Sequence, residues 1–167
     1  FRWQPSAAPE WALKDAKDKL HTLIDYKGKP VVAIFYLGSG CLHCAEQLQE
    51  FAPRVKDFEA AGIKMLAIST DDQEGLKVSL KEFAKTMPIR LASNDQLDVF
   101  KQFRAYDDFE LQPLHGTFLV DGAGKIRWQD ISYEPFMDDD FLLAEAKRLL
   151  SKELKQRPAV DADISQK

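Results

Sequence analysis

The chain has 167 residues, 45% of them hydrophobic, and a formal charge of −4, which allows one domain with a sizeable core. Its lysines are interleaved with acids rather than clustered, so no basic face is available to hold nucleic acid. The longest apolar run, residues 31 to 37, falls far short of the ~20 residues a membrane helix needs, and a membrane-spanning chain is not expected.

No charged and then apolar leader heads the sequence, and the first residue is Phe1. The expectation is a processed form or a piece of a longer protein, exported in preference to cytoplasmic. Residues 1 to 8 read as a tail or linker, 9 to 154 as the domain and 155 to 167 as a second tail. Within the domain, alternation at 11 to 14 and again at 20 to 23, around a polar turn, predicts a small hairpin. Residues 31 to 37 (VVAIFYL) have no polar position, so they predict a strand covered on both faces. Leu48, Phe51, Ala52, Val55 and Phe58 recur at helical spacing and predict a long helix over 42 to 61, kinked at Pro53 and stopped by Gly62.

A second buried strand follows at 64 to 69, then a helix at 74 to 86 with Leu76, Leu80, Phe83 and Ala84 on one side. A short strand at 89 to 92 precedes a helix at 96 to 103. Residues 117 to 120 and 125 to 129 read as a hairpin across the turn at Asp121 and Gly122, and Asp138 caps a last helix running to about 154. Alternating strands and helices closed by a hairpin imply an α/β fold with a mixed central sheet flanked by helices.

Both cysteines, Cys41 and Cys44, stand three apart where the first long strand meets its helix, the end of an open α/β sheet where chemistry is usually placed. A bridge between them would close so small a loop that it adds little to stability. Two cysteines in the first helical turn are close enough to bond. The helix amides and a protonated His43 between them favour the thiolate. Cys41, nearer the helix start, is expected to be the more exposed and the more acidic. The residues alone leave three readings open: a redox pair, a metal site and two inert buried cysteines, with the redox pair in front.

Phe35, Tyr36, Cys44, Leu48 and Phe51, then residues 67 to 71 (AISTD), then residues 117 to 121 (TFLVD) with Gly124, resemble the landmarks of the thioredoxin-fold redoxins of AhpC/TSA type. The resemblance spans roughly residues 9 to 150. It implies a thioredoxin-like fold, an oxidoreductase acting on thiols and disulfides, no organic cofactor, and protein or small-molecule thiol, disulfide or peroxide substrates. The first functional reading is disulfide exchange through Cys41 and Cys44, with Cys41 attacking and Cys44 resolving. The alternative is a thiol peroxidase in which Cys44 meets peroxide and Cys41 resolves. Where the peroxide-reactive relatives carry proline, threonine or serine, and arginine, this chain has Leu37, Cys41 and His115. Where thioredoxins carry a cis-proline it has Gly116. His43, Glu46 or His115 would serve as proton acceptor.

A third reading joins Cys41, Cys44 and His115 into a copper or zinc site like that of the Sco-type members, although a pocket-wall histidine explains His115 more simply. His21 reads as a surface residue. Trp128, Tyr133 and Phe136 read as packing residues, and Asp138 to Asp140 as a helix cap rather than a calcium site. The acidic aromatic stretch 106 to 110 reads as a solvated loop before it reads as a partner-facing rim.

Overall fold

The computed structural model describes residues 4–38, 40–82 and 87–155, apart from the side chains of Leu42, Cys44 and Glu82. Nine strands are placed among them: β1 (Ala12–Asp15), β2 (Leu20–Thr22), β3 (Val31–Tyr36), β4 (Lys64–Ser69), β5 (Arg90–Ser93), β6 (Tyr106–Asp107), β7 (Gln112–Pro113), β8 (His115–Val120) and β9 (Ile126–Ser132). The helices are α1 (Leu42–Phe51), α2 (Val55–Ala60), α3 (Gln73–Glu82), α4 (Asp98–Gln102), α5 (Asp139–Leu149) and α6 (Ser151–Lys155). Seven strands form one mixed sheet in the order β2-β1-β5-β4-β3-β8-β9, and β6 and β7 form a separate hairpin. β3, β4 and β5 run parallel, while β8 runs antiparallel to β3. This is the mixed, helix-flanked sheet that the element order predicts.

The apolar run over β3 is buried at every position, because helices cover both faces of the sheet. Val32, Ile34 and Tyr36 point into one cluster with Leu48, Phe51, Val55, Phe58, Leu142 and Ala146. Val31, Ala33 and Phe35 point into the other with Trp11, Phe100, Phe103 and Phe118. In the second cluster the Phe35 ring meets those of Phe100, Phe103 and Phe118 at 5.0, 5.0 and 5.3 Å.

The long helix expected over 42 to 61 is interrupted by a 3-10 turn at Ala52–Arg54, since Pro53 brings no N–H to the helical ladder. Gly62 ends α2 at φ +79°. α4 begins later than expected. Leu97 sits at φ +62°, and the Asn94 Oδ1 caps the helix by accepting the amides of Val99 and Phe100 at 3.1 and 3.2 Å. Phe83 and Ala84, and the expected helix end at Thr86, lie outside the described residues.

The last helix is capped as expected, Asp138 Oδ1 accepting from the Phe141 amide at 3.0 Å, but it breaks at Leu150 before α6. Asp139 joins Arg54 in an ion pair at 2.7 Å, with Asp140 and Asp57 as further partners of the same guanidinium. Asp139 and Asp140 thus tie α5 to the turn between α1 and α2, while Asp138 caps the helix.

Three expectations are corrected. His21 is buried, not on the surface: it stands opposite Leu13 in the β1–β2 register, and its Nε2 lies 2.9 Å from Asp15 Oδ2. The first tail is tied down at its end, where Ala8 N donates to Gly124 O, Ile126 N donates to Ser6 O and Ala8 is buried. Of the three aromatics near the last hairpin, Trp128 and Phe136 pack at 4.9 Å, but Tyr133 is exposed. Among the described residues, no helix is long and apolar enough to cross a membrane.

Candidate redox site

The carboxyl end of β3 feeds a tight connection into α1. Gly38 takes φ +89°, and a β-carbon there would fall 2.6 Å from Asp71 Oδ1, so only glycine fits on both counts. The Thr70 hydroxyl donates to Leu37 O at 3.1 Å, which fastens this connection to the end of β4. Cys41 N donates to Gly38 O, and Cys41 O accepts from Ala45 N, each at 3.3 Å. Cys41 therefore stands at the threshold of α1, partly buried against the first core cluster. Cys44 lies in the first turn of α1, where unpaired amides and the positive end of the helix dipole favour a thiolate. Its side chain is outside the described residues, and so is the expected difference in exposure between the two cysteines.

β8 supplies the opposite wall. Thr117 pairs with Ile34 and Gly116 with Phe35, so the next residue back, His115, reaches the end of β3 where α1 begins. His115 is buried. Burial pushes its pKa below the ordinary histidine value, the charge of Glu134 works against that, and His43 adds to it. His115 is thus a neutral imidazole at neutral pH, and it senses charges on α1 and on the segment after β9. His43 is exposed, with Nδ1 3.5 Å from Glu46 Oε2 in an equally exposed pair. The sequence-derived candidates His43, Glu46 and His115 therefore gather around the start of α1, but only His115 is enclosed. Gly116 is a packing requirement: a β-carbon there would come 2.7 Å from the Phe118 ring and 3.1 Å from Ala105. Among the described residues no peptide bond is cis.

One polar group escaped the sequence reading. Gln47, one helical turn after position 44, is buried, and its Nε2 donates to Thr117 Oγ1 at 3.3 Å and to Phe136 O at 3.0 Å. The Phe136 carbonyl can only accept, which fixes the orientation of the amide. Gln47 Oε1 is then buried without a hydrogen-bond partner among the described residues. The signal was a polar residue beside Leu48 on the apolar side of the helix. Nearby, burial pushes the Tyr36 phenol well above the ordinary tyrosine range, and the charge of Asp71 adds to the effect. Tyr36 stays protonated and is no base.

No group of three His, Cys, Asp or Glu side chains close enough to share a metal ion occurs among the described residues; the copper or zinc reading of Cys41, Cys44 and His115 includes the Cys44 side chain, which lies outside them. A wide groove elsewhere, between the N-terminal hairpin and α4, is lined by Trp11, Leu23, Tyr26, Asn94 and Val99 and includes none of the redox candidates.

A mixed sheet with a cysteine pair at the start of the helix after its central strand defines a thioredoxin-fold redoxin. Solved structures agree on the fold: peroxiredoxin Q of Xanthomonas campestris superposes with a TM-score of 0.74 at 19% identity, over 83% of this chain and 90% of that one. Peroxidoxin BcpB of Mycobacterium tuberculosis gives 0.72 at 22% identity, over 92% and 97%. In sequence, the chloroplastic peroxiredoxin Q of Oryza sativa subsp. japonica is 32% identical over 126 residues, 74% of this chain and 56% of that one. A Mycobacterium tuberculosis protein assigned to the peroxiredoxins is 30% identical over 125 residues, 71% and 78% of the two chains. The AhpC/TSA family model matches residues 5–129. The chain belongs to the AhpC/TSA family, and with it to the oxidoreductases that act on thiols.

Proposed function

We propose that this chain is a peroxiredoxin-like thiol peroxidase in which Cys44 is the peroxide-reactive residue and Cys41 the resolving one. The observation that carries this reading is the position of Cys44 in the first turn of α1, at the carboxyl end of β3, in a chain whose sequence relatives are named as peroxiredoxins. The thiolate of Cys44 attacks one oxygen of a hydroperoxide. The O–O bond breaks, the sulfur takes up that oxygen as a sulfenic acid, and the other oxygen leaves with a proton as water or an alcohol. Cys41 then condenses with the sulfenic acid, releasing water and forming the disulfide.

The roles of the neighbours follow from their charge. With Leu37, Cys41 and His115 where the resemblance leads one to expect proline, threonine and arginine, no fixed cation faces the peroxide from β8. The α1 amides and one N–H of the neutral His115 supply the polarising donors. Preorganised donors of this kind are worth on the order of 10²-fold in rate. Fully reduced protein mixed with hydrogen peroxide should accordingly lose two thiols about 10²-fold faster than a free thiolate at the same pH.

The same three departures favour a second reading, disulfide exchange in which Cys41 attacks an external disulfide and Cys44 resolves the mixed one. A peroxide rate no better than that of a free thiolate, with rapid exchange against a disulfide, would put this second reading first.

A further inference from the structure

The hairpin that leads into the site holds apolar side chains out in water at evident conformational cost. β6 and β7 pair Tyr106 with Pro113 and Asp107 with Gln112, and the turn between them carries Phe109, 90% exposed, and Leu111, 73% exposed. Asp107 Oδ1 accepts the amides of Phe109 and Glu110, both at 2.9 Å, and Asp107 Oδ2 accepts from the Tyr133 hydroxyl. Those bonds hold the Asp107 carboxyl below the usual carboxylate range, Tyr133 contributing most. Leu111 sits at φ +54°, where a β-carbon crowds its own backbone. Tyr133 is 60% exposed. Scattered exposed apolar residues are ordinary, but here one carboxylate fixes the Phe109 and Glu110 amides and the Tyr133 hydroxyl, and Leu111 closes the same turn with Phe109 and Tyr133 exposed beside it.

The hairpin also has a place and a charge. β7 passes through Leu114 directly into His115, and Ser132, the residue before Tyr133, stands opposite His115. The hairpin and the segment after β9 therefore flank the same end of the sheet as the cysteine pair. Asp107, Asp108 and Glu110 surround Phe109, Glu134 follows Tyr133, and no lysine or arginine occurs between Arg104 and Lys125. Lys101 lies at the base, 4.9 Å over the Tyr106 ring.

Resting on the peroxidase reading, we propose that this acidic, apolar-tipped hairpin, with Tyr133, is the docking surface for the protein dithiol that reduces the Cys41–Cys44 disulfide. The chain has no third cysteine, so each turnover needs two electrons and two protons from outside. A partner thiolate attacks one sulfur of the disulfide and releases the other as a thiol after protonation. The partner's second thiolate then displaces the mixed disulfide, leaving this chain with two thiols and the partner with one disulfide. The fit is to a partner whose cysteines are ringed by apolar residues with lysines or arginines at the edge.

The test uses peroxide turnover with a thioredoxin, its reductase and NADPH as electron source, against turnover with dithiothreitol. In the double variant Phe109→Ser, Leu111→Ser, kcat/KM for thioredoxin should fall about tenfold or more, while the dithiothreitol rate and the single-turnover reaction with peroxide stay at wild-type values. Asp108→Lys with Glu110→Lys should lower the thioredoxin rate most at low salt. An unchanged thioredoxin rate in the double variant overturns the proposal. So does a wild-type protein that dithiothreitol reduces and thioredoxin leaves oxidised. Failure of the pair to cycle even with peroxide and dithiothreitol would overturn the peroxidase reading itself, and is told apart from the other outcomes by that control.

Discussion

The two faces of the central sheet are built from adjacent residues of the same strands, yet their chemistry differs. On the α4 face, Phe35, Phe100, Phe103 and Phe118 form a closed aromatic cluster. On the α1 face, at the carboxyl end of β3, Tyr36, Gln47, Thr117 and His115 bring buried polar atoms together beside the start of α1. The alternation of β8 makes the division: Gly116, Phe118 and Val120 face one way, His115, Thr117 and Leu119 the other. Both faces carry an apolar cluster, but one is closed by aromatic rings and the other also places polar groups where the cysteine pair begins its helix.

The largest effect should come from breaking the aromatic face. Phe35→Ala removes a fully buried ring with three ring contacts and should cost about 3–5 kcal/mol of unfolding free energy, read by denaturant titration. The peroxide reactivity of the molecules that remain folded should change little. Comparable loss of reactivity in the folded fraction would mean that the two faces are not separable.

Gln47→Met probes the polar face. It removes both donors to Thr117 and Phe136, strands a buried carbonyl and should cost about 1–3 kcal/mol. Because it loosens α1 against β8, peroxide oxidation of the reduced protein should slow on the order of ten- to a hundredfold, measured in single turnover. A stability loss with an unchanged rate would reduce Gln47 to a brace.

A smaller effect belongs to His115. Burial holds it neutral in the folded protein, with its pKa below the ordinary value of 6.5, so below that pH the unfolded chain binds the extra proton. Stability should therefore fall as pH drops through 6.5 and level off below the folded value. His115→Asn should remove that part of the slope in melts taken between neutral and acid pH. An unchanged slope in the variant would show that His115 is not the group responsible.

How much of this could be read in the sequence follows from the range of each interaction. The buried strand β3 was legible because its seven-residue run has no polar position. The cysteine pair was legible because strand, glycines and helix are contiguous. The start of α4 was not, since it depends on Asn94 reaching forward to Val99 and Phe100. Nor was the burial of His21, which depends on Asp15 across a turn. Gln47 looked like an ordinary polar residue in a helix, and its partners lie 70 and 89 residues away. The β6–β7 hairpin has two-residue strands, too short to show alternation, so it read as a loop.

The most direct test of the central claim assigns the two cysteines. Reduced Cys41→Ser and Cys44→Ser proteins are treated with one equivalent of hydrogen peroxide in the presence of dimedone and weighed intact. The account predicts that Cys41→Ser rapidly gains one dimedone adduct, trapping the sulfenic acid of Cys44, while Cys44→Ser reacts no faster than a free thiol. Rapid labelling of Cys44→Ser with a sluggish Cys41→Ser would contradict it, making Cys41 the reactive sulfur and placing the first chemistry at the threshold of α1.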